Sequence, residues 1–207
     1  NFVSWPRALP VDPSQPEGEW LMTYHALMPP PAGGGPPQWA VGGAVSNAGH
    51  ALGPYTKLEG GPVLSGGPPG SFDERGIGTR HVIHALAEER DDEAGVGLVM
   101  VYEGVGGDGR HRLGLATSSD GGRVWRKVEG LGPDAGGPIF EGAPPESDAW
   151  DNGNVGTPWV VALPSGGWRL YYVGTSDKGR TVAIGAAESK TLFSSEWERV
   201  PVSKSGA

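Results

Sequence analysis

Short apolar runs rich in aromatic and branched residues recur at matched places along the chain, each bounded by polar residues and glycine. Glu19–Ala26 (EWLMTYHA), Gly97–Gly104 (GLVMVYEG) and Gly167–Gly174 (GWRLYYVG) align with Tyr24, Tyr102 and Tyr172 in register. Runs of this length and composition predict β-strands. Each is followed by a second matched run, AVGGAVSN from Ala40, RLGLATSS from Arg112 and AIGAAESK from Ala183, in which Gly42, Gly114 and Gly185 coincide. A third match, Tyr55-Thr-Lys-Leu, Trp125-Arg-Lys-Val and Trp197-Glu-Arg-Val, alternates as an outer strand with one solvated face does. Two segments that spell nearly the same pattern, Phe72–Ile83 (FDERGIGTRHVI) and Trp150–Val161 (WDNGNVGTPWVV), precede the second and third tyrosine runs. They match Asp73 with Asp151 and Gly78 with Gly156, and Gly-Pro-aliphatic segments (Gly61–Leu64 and Gly137–Phe140) lead into them. Tyr102 and Tyr172 lie 70 residues apart and Asp73 and Asp151 lie 78 apart, a longer period than WD40 or kelch repeats have.

The repeating unit is therefore four strands: an inner strand opened by the FD/WD motif, a tyrosine strand, a Gly/Ala strand and an aromatic outer strand. That is the anatomy of a β-propeller blade, and it predicts an all-β chain of four-stranded antiparallel blades, about three of them. The blades are expected over approximately residues 17–70, 71–148 and 149–207, within one propeller domain, 1–207, that is incomplete. The first copy shows no inner strand, because Asn1–Leu9 is short, proline-broken and lacks the motif. Helix signals are weak, and His84–Asp91 reads as a charged loop between strands. Pro29–Pro37 (PPPAGGGPP) reads as a loop inserted inside the first blade, since matched strands flank it. Three blades fall short of the four to eight that close a ring, so a longer propeller present in part is favoured over other chains completing the ring or an open sheet.

Composition narrows the partners. The chain has 207 residues, and its 37 glycines and 20 prolines fit a turn-rich protein, while eight Trp, five Tyr and four Phe supply a core. A net charge of −8 with no Lys/Arg run excludes nucleic acid as an expected partner. No cysteine is present, which removes disulfides, thiolate metal sites and cysteine nucleophiles and leaves the compartment undetermined. No stretch reaches the length of a membrane span. The chain opens on Asn1 without an apolar leader, as a processed form or a fragment without its targeting segment would. No His/carboxylate cluster has metal-ligand spacing and no cofactor is expected, though a structural cation at a propeller axis stays open.

Ser118–Trp125 (SSDGGRVW) fits the Asp-box pattern S-x-D-x-G-x-x-W, a hairpin turn in which Asp120 accepts backbone N–H groups and Trp125 covers the turn. Its expected role is structural. Together the FD…GxGT opening, the LYY strand and the GLATSSDGGRVW run resemble the five-bladed propeller glycoside hydrolases of the arabinanase/levansucrase/invertase group. The resemblance covers most of residues 19 to 201. It implies an acidic funnel at the axis, where one carboxylic acid protonates the leaving oxygen and a second carboxylate activates water or attacks the anomeric carbon. Carried onto this sequence, it makes Asp73, Asp151 and Glu103 the acidic set, acting on furanosides or related oligosaccharides.

Each of these residues also has a purely structural reading. Asp73 and Asp151 recur in two copies and would equally serve to bond the following backbone N–H groups as an Asx turn does. Glu103 stands where the other copies have His25 and Val173, so the blade itself does not require it; capping a strand at a solvated rim is the alternative. Arg80 and His81 stand where the other copy has Pro158 and Trp159. Arg80, His81, Trp159 and His25 are accordingly candidate substrate-binding residues, with a buried Arg–Asp pair or core packing as the alternative. His84 and His111 lie beside turns and are expected to be exposed. One departure weighs against catalysis: the Glu-Gly-Pro start of an inner strand is missing, and the nearest string, Glu141-Gly142-Ala143, precedes its inner strand. The competing function is a non-catalytic propeller that binds a glycan, or a protein partner as a subunit of a larger assembly.

Overall fold

A computed structural model describes residues 3–29, 36–85, 97–129, 131, 137–176 and 181–201. Its elements are all strands among the described residues: β1 (Val3–Pro10), β2 (Trp20–Met28), β3 (Gln38–Ser46), β4 (Thr56–Lys57), β5 (Gly76–His84), β6 (Leu98–Val105), β7 (His111–Ser118), β8 (Arg126–Lys127), β9 (Val155–Ala162), β10 (Trp168–Thr175), β11 (Val182–Ser189) and β12 (Glu198–Arg199). They form three antiparallel four-stranded blades, β1–β4, β5–β8 and β9–β12, with one parallel bridge, Trp39 to Gly76, joining the first two. In each blade the first strand is innermost, and β5 lies against both β1 and β9. The two loops read from sequence fall largely outside the described residues, at 30–35 and 86–96.

The first blade has the inner strand that the sequence seemed to lack. β1 pairs with β2 from Val3↔Ala26 to Pro10↔Trp20, so this blade includes residues well before 17. The proline that argued against a strand sits where the ladder is interrupted: the register shifts between Ser4 and Arg7, leaving Trp5 and Pro6 opposite one residue. A bulge needs no ladder N–H from its extra residue, which is why proline is tolerated there. The other inner strands shift register within one residue of the equivalent place, between Ile77 and Arg80 and between Gly156 and Trp159.

The core lies between blades. Leu21 and Val41 of the first blade meet Ile77, Val82, Met100 and Tyr102 of the second. Val101, Leu113 and Leu115 of the second meet Val160, Leu170 and Tyr172 of the third. Each fully buried side chain of this kind contributes about 1.5–3 kcal/mol, so the stacking of blades, not the blade alone, stabilises the fold.

The coincidence of tyrosines and glycines has a steric cause. Tyr24, Tyr102 and Tyr172 stand directly across the ladder from Gly42, Gly114 and Gly185. A Cβ on Gly114 would lie 2.6 Å from Cζ of Tyr102 and 2.5 Å from the Phe72 ring. Each ring thus lies flat over bare backbone, covering a glycine that would otherwise weaken its strand. Gly114→Ala is expected to destabilise the protein by about 1–3 kcal/mol through overpacking, measured as a shift in the urea midpoint without a change in slope.

The Ser118–Trp125 turn forms at the β7–β8 connection. Asp120 Oδ1 accepts N–H bonds from Arg123 and Val124, both 3.0 Å, and the Trp125 indole donates to the Gly122 carbonyl at 2.9 Å. Gly121 and Gly122 take the left-handed conformation, with φ of 73° and 86°.

Candidate functional site

A cavity of about 410 Å³ opens where the starts of β1 and β5 meet the ends of β2 and β6. Trp5, His25, Trp39, Thr79, Glu103 and His111 line it. Glu103 is its anchor. The side chain is held between the two GxGT motifs: a Cβ on Gly78 would come within 2.8 Å of its carboxyl carbon, and one on Gly156 within 2.6 Å of Oε2. The threonine that follows each motif glycine donates to the same oxygen. Thr79 does so through its hydroxyl, and Thr157 through its backbone N–H at 3.1 Å. Oε1 accepts from His111 Nδ1 at 2.6 Å.

These contacts decide the charge of Glu103. Burial alone would raise its pKa, but the hydrogen bonds from His111, Thr79 and Thr157 outweigh burial and hold it below the usual carboxylate value. It is therefore an ionised group at neutral pH and not a proton donor. Thr157 pays with an unusual backbone, φ 51°, and Trp5 at the equivalent bulge has φ 54°. Such conformations in branched or bulky residues cost energy and cluster at ligand sites.

His25 faces the same cavity, its ring 4.1 Å from that of Trp39 and its Nε2 bonded to the Ile77 carbonyl at 2.9 Å. Burial, the largest influence, lowers its pKa and favours the neutral ring. The structure therefore brings together two of the residues selected from sequence, His25 and Glu103, which occupy equivalent positions in their blades.

The other candidates lie elsewhere. His81 and Trp159 stack on each other, centroids 3.9 Å apart, with Arg7 5.3 Å from the Trp159 ring. Arg7, His81 and Trp159 are equivalent residues, facing Thr23, Val101 and Tyr171 across their ladders. Burial, then the nearby Arg7 charge, lowers the His81 pKa from 6.5 to about 4. The unfolded chain then takes up the proton first, so stability is full above about pH 6.5 and falls as pH drops toward 4, by about 3 kcal/mol in total. His81→Gln is expected to flatten that part of a pH series of urea melts. Arg80 is buried between blades, where Nε donates to Thr23 Oγ1 and Nη2 to the Trp5 carbonyl, both at 3.1 Å. It ties blades together, no ion pair of the kind considered from sequence forms with it among the described residues, and it does not line the cavity.

Asp73 and Asp151 do not line the cavity either. Each is 1 % exposed. Asp73 accepts from the Tyr102 hydroxyl at 3.1 Å, Lys127 Nζ at 2.5 Å and the Gly67 N–H at 3.0 Å. Asp151 accepts from the Tyr172 hydroxyl and Arg199 Nε, both at 2.8 Å. The same Asp–Tyr–cation relay thus ties the start of the inner strand to the second and fourth strands in both blades. Asp73 also borders a separate cavity of about 590 Å³ with Phe72, Arg112 and Lys127.

Sequence reasoning missed His111, Trp39, Trp5 and the two threonines. His111 was read as an exposed turn residue, yet it lies across from Val105 at the start of β7 and bonds Glu103. A signal existed: His111 and Trp39 occupy equivalent positions whose third member is Val182, the same disagreement between copies that pointed to Glu103. Among the described residues, no group of three His, Asp or Glu side chains could hold a metal ion.

No protein-family model and no curated protein matches the sequence itself. Solved structures do. The fructan 1-exohydrolase IIa of Cichorium intybus superposes with a TM-score of 0.58 at 21% identity, over 89% of this chain and 29% of that one. An α-L-arabinofuranosidase from Fusarium graminearum superposes with a TM-score of 0.59 at 15% identity, over 96% and 48%. A glycosyl hydrolase from Bacteroides ovatus does so with a TM-score of 0.55 at 19% identity, over 88% and 45%. The chain has the fold of the β-propeller glycosidases. It spans less than half the length of each of these three structures.

Proposed function

We propose that the cavity around Glu103 binds a furanoside or related oligosaccharide, as part of a glycosidase-like propeller. The observation that carries this reading is an ionised, nearly buried carboxylate at the floor of a cavity walled by Trp5, Trp39 and two histidines. Aromatic faces suit the apolar face of a sugar ring, and imidazoles suit its hydroxyl groups. The likeness to a fructan exohydrolase and an arabinofuranosidase supports the furanoside class, and one matched structure holds 1-kestose.

Within that reading Glu103 acts by charge: a fixed carboxylate stabilises the positive charge that develops at an anomeric carbon. Glycoside hydrolysis takes a second carboxyl group as acid, and none of the other described side chains lining this cavity is one. The described residues of the cavity thus supply binding and one charge, and a proton donor is not among them. The non-catalytic glycan-binding alternative is favoured by that same count. Calorimetric titration with 1-kestose and with arabino-oligosaccharides tests binding. Saturable heat that Glu103→Gln reduces supports the reading, and no heat at millimolar sugar sinks it.

A further inference from the structure

Arg80 is the most buried arginine among the described residues, and it holds no acid there. Its guanidinium donates to the Thr23 hydroxyl and the Trp5 carbonyl, which are neutral partners. Arg112, Arg123, Arg169 and Arg199 are all more exposed, yet each holds a carboxylate. A charge taken out of water is costly unless an opposite charge compensates it. At Arg80 burial, and then the nearby cation Arg7, bring the pKa down to about 10, so the group is still charged at neutral pH. Among the described residues that charge has no counter-charge.

Positive charge continues to the face where the three innermost strands meet. Arg7, His81 and Trp159 converge there from β1, β5 and β9, with His81 stacked on Trp159 and the Arg7 guanidinium beside the Trp159 ring. Arg7 is exposed and has no acidic partner among the described residues. His81 adds a donor, because its Nδ1 accepts the Val160 N–H at 3.1 Å and the neutral ring therefore carries its proton on Nε2. Trp159 is 43 % exposed beside them. In a chain of net charge −8, two guanidinium groups and an imidazole N–H thus gather where no described carboxylate balances them.

We infer that the face formed by Arg7 and Trp159 binds a sugar that bears a carboxylate, its acid group set against Arg7 in front of Arg80 and its ring laid on Trp159. A guanidinium fork matches the two oxygens of a carboxylate, and an indole face suits the apolar face of a sugar ring. The bound acid supplies the counter-charge that Arg80 lacks. This face adjoins the Glu103 cavity, since Trp5 both accepts from Arg80 and lines that cavity. Arg7, Arg80, His81 and Trp159 do not line the cavity themselves, so the inference stands whether or not Glu103 binds sugar.

The test titrates galacturonate, galactose and inorganic phosphate into the parent, Arg7→Gln and Trp159→Leu proteins by calorimetry at low salt. The two sugars differ only in whether a carboxylate or a hydroxymethyl group stands on the ring. Galacturonate is expected to bind the parent saturably, galactose at least tenfold more weakly, and each variant is expected to lose tenfold or more in galacturonate affinity. Arg7 is exposed, so Arg7→Gln moves the urea midpoint little, which separates lost binding from lost fold. No galacturonate binding at millimolar concentration would overturn the inference, as would equal binding of the two sugars or parent-like galacturonate affinity in Arg7→Gln. So would phosphate that binds as tightly as galacturonate and is unaffected by Trp159→Leu, because the face would then hold a free anion and not an acidic sugar.

Discussion

Asp73→Ala is expected to destabilise the protein by about 3–5 kcal/mol while leaving sugar binding by the folded molecules unchanged. Its carboxylate is 1 % exposed and accepts from a tyrosine hydroxyl, an ammonium group and a backbone N–H. Removing it leaves the Tyr102 hydroxyl and the Gly67 N–H buried without an acceptor, and an unmade buried hydrogen bond costs more than a made one contributes. Lys127 is 26 % exposed and can turn toward water, which places the loss at the lower end of that range. For a chain of this length the corresponding fall in Tm is about 6–15 °C. Asp151→Ala follows the same course through Tyr172 and Arg199. Urea melts read the first quantity, and calorimetric titration at a matched folded fraction reads the second. An unchanged melt together with lost binding would return Asp73 to the site that the sequence assigned it.

Glu103→Gln is expected to do the reverse in proportion. The amide keeps the shape between Gly78 and Gly156 but presents one acceptor oxygen where the carboxylate has two, each already engaged. A loss of about 2 kcal/mol in stability and of tenfold or more in sugar affinity is expected. The pH dependence gives an independent signature. The folded-state pKa is held below 4.5, so the stability that Glu103 contributes is fully present above about pH 4.5 and is lost as pH falls through the lowered value. The glutamine variant is expected to lose that acid limb and to keep the His81 dependence above it.

Much of this arrangement was legible as a repeat. Tyr102 over Gly114 and the order of four strands per blade are local matters of size and hydrogen bonding, and such constraints leave the same letters in every copy; the Asp120 turn was legible from its own motif in the second copy alone. β1 escaped because its signature is a bulge at Trp5-Pro6, and a bulge makes proline acceptable just where a strand reading rejects it. The site was half legible. The shared letters Asp73 and Asp151 resemble chemistry, yet in the structure they bond a tyrosine and a cation of their own blades and do not line the cavity. The differing letters His25 and Glu103 did mark the cavity. What no single repeat could reveal is that Gly78-Thr79 and Gly156-Thr157, from neighbouring blades, close on one Glu103, because that contact exists only after blades stack.

The central claim is that the charge at the heart of this propeller is Glu103 and not the twin aspartates. The most direct measurement is a side-by-side calorimetric titration of 1-kestose and arabino-oligosaccharides into the parent, Glu103→Gln and Asp73→Asn proteins, each at a known folded fraction. The account predicts parent-like affinity for Asp73→Asn and a tenfold or greater loss for Glu103→Gln. Parent-like affinity in Glu103→Gln, with binding lost in fully folded Asp73→Asn, would contradict it.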